Sequence, residues 1–81
     1  MKTYACEYTD TFGGEANYAW VRKATFSAPD DASRAMLLRR AKAALGLSGL
    51  RMRVTAEWET FLGIEARPYG MCTVLFVFRT W

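Results

Sequence analysis

The sequence predicts an α+β fold of ββαββ order, a four-stranded antiparallel sheet with one helix packed on one face. Three observations carry that prediction. Leu50, Met52, Val54, Ala56 and Trp58 alternate strictly with Arg51, Arg53, Thr55, Glu57 and Glu59, the period-two signature of a half-buried strand. Leu37, Leu38, Ala41, Ala44 and Leu45 recur at helical spacing and so gather on one stripe. Met71 to Phe78 is a nearly continuous apolar run, which suits a central strand covered on both faces.

Thr3 to Thr9 reads as the first strand, with Tyr4, Cys6 and Tyr8 on one side and Ala5 and Glu7 on the other. Asp10 to Glu15 breaks it, because Gly13 and Gly14 tolerate positive φ where other residues do not. Asn17 to Phe26 resumes extended structure, Tyr18, Trp20 and Phe26 sharing one parity and Ala19, Val21 and Thr25 the other, so the two strands should form a long-looped hairpin. Ser27 to Asp31 is a helix-start signal: Ser and Asp cap free amides, Pro suits a first turn, and acids favour the positive end of the dipole. The helix should run to about Leu45, with Gly46 as a left-handed cap and Arg39, Arg40 and Lys42 turned away from the apolar stripe. Between the last two strands, Thr60 to Gly70 reads as a connection, since Gly63, Pro68 and Gly70 interrupt pairing. One helix covers one face of the sheet, so the apolar residues of both parities in Met71 to Phe78 require that loops or a partner cover the other.

With 81 residues the chain fits one domain, 1–81. A chain of this size buries roughly 60% of its unfolded surface, enough for one thin core. Hydrophobic residues make up 52%, far from the profile of disordered chains. Five Phe, four Tyr and three Trp are more aromatics than so thin a core needs, and some are expected at the surface. Eleven Lys and Arg against eight Asp and Glu give +3, a mild excess compatible with an acidic protein or a nucleic acid as partner. The first residues lack the pattern of a signal peptide, and no apolar run approaches the roughly 20 residues of a membrane helix. The expectation is therefore a cytosolic protein without membrane contact, whose Cys6 and Cys72 remain free thiols.

Histidine is absent, which removes the commonest general base and the usual activator of serine and cysteine nucleophiles. There is no CxxC pair, and neither a metal nor a cofactor is expected. Glu57 and Glu59 would share a strand face roughly 7 Å apart by strand rise. Paired carboxylates can do acid–base work, but beside Arg51 and Arg53 these two read better as a solvated strand face. Gly13-Gly14 lacks the following Lys and helix start of a phosphate loop and reads as a turn. Apolar surroundings should raise the Cys72 thiol pKa, against a nucleophilic role.

What remains is a binding chemistry, expected at Arg51, Arg53, Glu57 and Glu59 of the third strand, Arg39 and Arg40 of the helix, and Tyr69. Forked guanidinium groups match carboxylates and phosphates. Aromatics beside basic groups on a sheet also stack on single-stranded bases. The aromatic consensus of an RNA-recognition motif is missing from Met71 to Phe78, however, as is its second helix, so direct nucleic-acid binding is the lesser expectation.

The stretch Asp10-Thr11-Phe12-Gly13-Gly14-Glu15-Ala16-Asn17-Tyr18-Ala19-Trp20-Val21-Arg22, one following helix, and Pro68-Tyr69-Gly70-Met71-Cys72-Thr73-Val74 together resemble small phage-borne proteins. Among these the chain is similar, over most of its length, to anti-CRISPR proteins of the type I-C inhibitor group. The resemblance implies a non-enzymatic inhibitor in the cytoplasm of a bacterial host, binding Cas proteins of the Cascade surveillance complex and keeping it from target DNA. It assigns no binding residues. An inhibitor that copied DNA would be strongly acidic, so a chain of +3 should instead cover a protein surface. Two other classes stand beside it: a nucleic-acid-binding accessory protein of a phage or mobile element, and a homo-oligomeric structural phage protein that buries its second sheet face against itself. Monomer and homodimer are both compatible with the sequence.

Overall fold

The chain folds in the α+β class expected from its periodicities, with one strand more than the expected four. The computed structural model describes residues 1–11, 17–58 and 63–80, and of residues 17–20 the backbone alone. In chain order these form β1 (Lys2–Asp10), β2 (Asn17–Ala28), α1 (Arg34–Ala44), β3 (Met52–Trp58), β4 (Gly63–Pro68) and β5 (Thr73–Thr80). The strands make one antiparallel sheet of order β2-β1-β5-β4-β3. The apolar run expected to be central is indeed the middle strand, β5.

The strand that sequence reasoning missed is β4. Its residues alternate like the others, Ile64, Ala66 and Pro68 being buried and Glu65 and Arg67 half-buried. Gly63 and Pro68 were expected to interrupt pairing, but they stand at the two ends of the strand. A proline is tolerated at such a position because its missing N–H breaks no interior ladder bond. Gly70, at φ 73°, belongs to the turn that follows.

The core lies between the sheet and α1. Tyr4, Cys6 and Tyr8 of β1 are opposite Phe26, Ala24 and Arg22 of β2 on one side. Cys6 and Tyr8 are opposite Val77 and Leu75 of β5 on the other. This face meets Leu37, Ala41 and Leu45 of α1, and Tyr4 stacks on Phe26 with ring centres 5.5 Å apart. Removing a side chain such as Leu75 from water contributes roughly 1.5–3 kcal/mol. Ala41 is fully buried over Cys6, where a small residue lets the helix approach the sheet closely. Ala44, expected on the apolar stripe, is exposed.

The helix begins later than the Ser27–Asp31 signal suggested. β2 continues to Ala28, and Pro29 to Ala32 is a turn closed by the Ala32 amide donating to the Pro29 carbonyl at 3.0 Å. Ser33 is the cap, its hydroxyl accepting from the Met36 amide at 3.2 Å. At the other end Gly46, at φ 74°, permits the Leu47 amide to reach the Lys42 carbonyl and the Gly46 amide that of Ala43. This is the paired 6→1 and 5→2 closure of a helix by a left-handed residue.

Among the described residues no helix lies over the opposite sheet face. At one end of it Thr9 and Val74, Cα partners in β1 and β5, are nonetheless fully buried, so the chain itself covers that end. Over the rest of the face Ala5, Glu7, Phe76, Phe78 and Glu65 are half-buried and Lys23 and Thr25 exposed.

Candidate functional site: an arginine corner on the open sheet face

A cross-strand row of Lys23, Glu7, Phe76 and Glu65 crosses the open face from β2 to β4. Lys23 and Glu7 lie within ion-pair distance at 4.0 Å, and Phe76 is half-buried between two carboxylate-bearing neighbours. Toward the β3 edge the charge changes sign. Arg53 of β3 is the Cα partner of Arg67 of β4, and Arg51 precedes it by two positions along the extended chain. The Tyr69 amide donates to the Arg51 carbonyl at 3.3 Å, extending the β3–β4 pairing into the adjoining turn. Tyr69 itself is 60% exposed, and the Arg53 guanidinium lies over its ring, 6.0 Å from the centroid.

Among the described residues the carboxylate near this group is Glu65. It accepts from the Thr55 hydroxyl and lies 3.6 Å from the Arg67 guanidinium. Arg51 and Arg53 have no carboxylate within ion-pair distance among the described residues. Like charges opposite one another on adjacent strands are destabilising, so the pairing of Arg53 with Arg67 is a feature that folding alone does not call for.

The expected site residues divide accordingly. Arg51, Arg53 and Tyr69 come together. Glu57 does not join them, because the β3–β4 register slips by one residue at Thr55: Val54 faces Ala66, but Ala56 faces Glu65 and Glu57 faces Ile64. The slip carries Glu57 to the helix side, where it forms an ion pair with Arg34 at the start of α1. Strict alternation had placed it beside Arg51 and Arg53; an inserted residue reverses parity, and periodicity does not reveal it. Glu59 lies outside the described residues. Arg39 and Arg40 are exposed on α1, remote from the corner, and Arg40 donates to the Ser27 carbonyl at 2.8 Å, tying the helix to the end of β2. Lys42 similarly donates to the Leu50 carbonyl at 2.9 Å. Arg67, Glu65 and Thr55 belong to the corner and were not anticipated; the alternation of Glu65 and Arg67 with Ile64 and Ala66 was the available signal.

Neither cysteine is disulfide-bonded. Cys6 and Val77 are Cα partners, and Cys72 precedes Val77 by five positions, about 16 Å by strand rise, so the thiols do not meet. Burial pushes the Cys6 thiol up to about 11, outweighing the opposite effect of a hydrogen bond with the Ala24 backbone. Among the described residues no three His, Cys, Asp or Glu side chains are grouped to hold a metal ion, and no helix is long and apolar enough to cross a membrane. Comparison with known proteins found no matching family model, no matching curated relative and no matching solved structure.

Proposed function

We propose that this chain is a non-catalytic binding protein that docks a protein partner at the arginine corner of its open sheet face. The observation that carries the reading is the convergence of Arg51, Arg53 and an exposed Tyr69 where, among the described residues, no carboxylate neutralises the two arginines. Arg and Tyr are the residue types in which interface energy concentrates, and removing one from a well-packed centre costs roughly 2 kcal/mol or more. Together with the sequence resemblance, this supports an anti-CRISPR inhibitor that binds Cas proteins of a type I-C Cascade complex in the bacterial cytoplasm and blocks its engagement of target DNA. The net charge of +3 supports covering a protein surface over imitating a duplex.

The test is phage plaquing on a host with an active type I-C system. Arg51→Glu combined with Arg53→Glu should abolish inhibition with the circular-dichroism spectrum unchanged, whereas Arg39→Glu with Arg40→Glu should weaken it less. Full inhibition by the strand variant alongside loss in the helix variant would move the interface to the helical side. Failure of the unaltered protein to protect phage would end the Cascade reading.

A further inference from the structure

We infer that the partner presents a short extended acidic segment, which pairs along the free edge of β3 with its alternate carboxylates meeting Arg51 and Arg53. The inference rests on the corner being the docking site and names what it recognises. β3 is the last strand of the sheet among the described residues, none of which pairs with the far side of its backbone, so that side offers an edge to a further strand. Arg51 and Arg53 are two positions apart in extended chain, roughly 7 Å, which is also the spacing of alternate side chains on an added strand. Residues directly opposite across such a pair sit roughly 5 Å apart, within reach of a forked guanidinium–carboxylate contact.

Charge selects the segment. Glu65 is engaged by Thr55 and Arg67, so no acid of the described residues remains for Arg51 or Arg53, and Arg53 still faces Arg67. An arriving carboxylate relieves that repulsion. Tyr69 beneath the Arg53 guanidinium holds it ready, which reduces the ordering that binding must impose. The register slip at Thr55 interrupts the regular ladder and limits the paired segment to the Arg51–Val54 side of the strand.

The same features disfavour single-stranded nucleic acid. Stacking on bases needs open aromatic faces, but Arg53 lies over one face of the Tyr69 ring, and Phe76 is half-buried in a row between Glu7 and Glu65, whose carboxylates repel phosphates.

Calorimetric titration of the full chain tests this with three probes: a peptide with glutamates alternating among threonine and valine, an isomer with the same glutamates contiguous, and a thymidine oligonucleotide. The alternating peptide should bind more tightly than the isomer or the oligonucleotide. Arg51→Glu with Arg53→Glu should weaken it by about tenfold or more, Arg53→Lys should weaken it through loss of the fork, and Arg39→Glu should leave it unchanged. Arg53→Gln should lose binding while its Tm stays level or rises, a combination that a structural arginine would not give. Equal binding of the isomer, tighter Arg53-dependent binding of the oligonucleotide, no peptide binding, or a lowered Tm in Arg53→Gln would each overturn the inference. Peptide binding without phage protection would sink the Cascade reading alone; phage protection without peptide binding would sink this one alone.

Discussion

The helix-backed part of the sheet and the β3–β4 wing are built from the same kinds of residue and put them to different use. β1 pairs with β2 from Lys2 to Asp10 and with β5 from Thr3 to Asp10, and its inward side chains Tyr4, Cys6 and Tyr8 are buried beneath α1. The wing joins β5 through Ile64, Glu65 and Ala66, and no residue of β3 is fully buried. Arginines show the contrast most directly. Arg22 donates to the Leu45 carbonyl at 2.6 Å, at the end of α1, and Arg40 to that of Ser27, near the end of β2, so each satisfies a backbone acceptor where an element ends. Arg51 and Arg53 stand where β4 already pairs one side of β3, and they point at solvent. Stability is concentrated in one region, leaving the other free to carry a surface that opposes it.

The largest expected effect would break that division if it failed. Leu75→Ala removes a fully buried side chain from the central strand and should cost about 2–5 kcal/mol, whereas Val54→Ala in the wing, only partly buried, should cost about 1 kcal/mol. Urea denaturation measures both. Equal losses would mean that β3 is as much a part of the core as β5.

The next effect sharpens the comparison through pH. The Cys6 thiol ionises at about 11 in the folded chain against 9.0 when unfolded, so its raised value contributes stability that is fully present below pH 9. As pH rises from 9 to 11 the unfolded state binds fewer protons, and the contribution is lost. The two values bound the loss at about 3 kcal/mol. Cys6→Ala should therefore show a shallower alkaline fall in Tm than the unaltered chain, the difference between the two curves isolating Cys6 from tyrosines and lysines. Parallel curves would show that the site under α1 is wet.

The fold was legible wherever side-chain period and strand ends agreed. Tyr4, Cys6 and Tyr8, the Leu37–Ala41–Leu45 stripe, Gly46 and the apolar β5 all announced their positions. β4 did not, because Gly63 and Pro68 carry the residue types of a break while occupying the ends of a strand. The helix start was misplaced for a related reason: Asp30 and Asp31 resemble a first turn, yet Ser33 makes the cap, and nothing local separates the two. Of the corner, Arg51, Arg53 and Tyr69 were visible as residue types, but their company was set by register. Arg67 arrived with the unanticipated strand, and Glu57 left because a single inserted residue at Thr55 reversed the parity of everything after it.

The smallest effect concerns a link between the two regions, the ion pair of Arg34 on α1 with Glu57 on β3. Both side chains are about half exposed, 56% and 48%, so their attraction is screened by water and opposed by the entropy of holding two long side chains together. A double-mutant cycle of Arg34→Ala and Glu57→Ala, read by urea denaturation, should give a coupling of about 0.5 kcal/mol or less, shrinking in salt. Such a value leaves the wing attached mainly through Ile64 and Ala66, able to adjust as a segment pairs along its edge. A coupling near 2 kcal/mol would instead clamp β3 to the start of the helix. Helix substitutions would then alter partner binding through Glu57, and the separation of a stable half from a binding half would no longer describe the molecule.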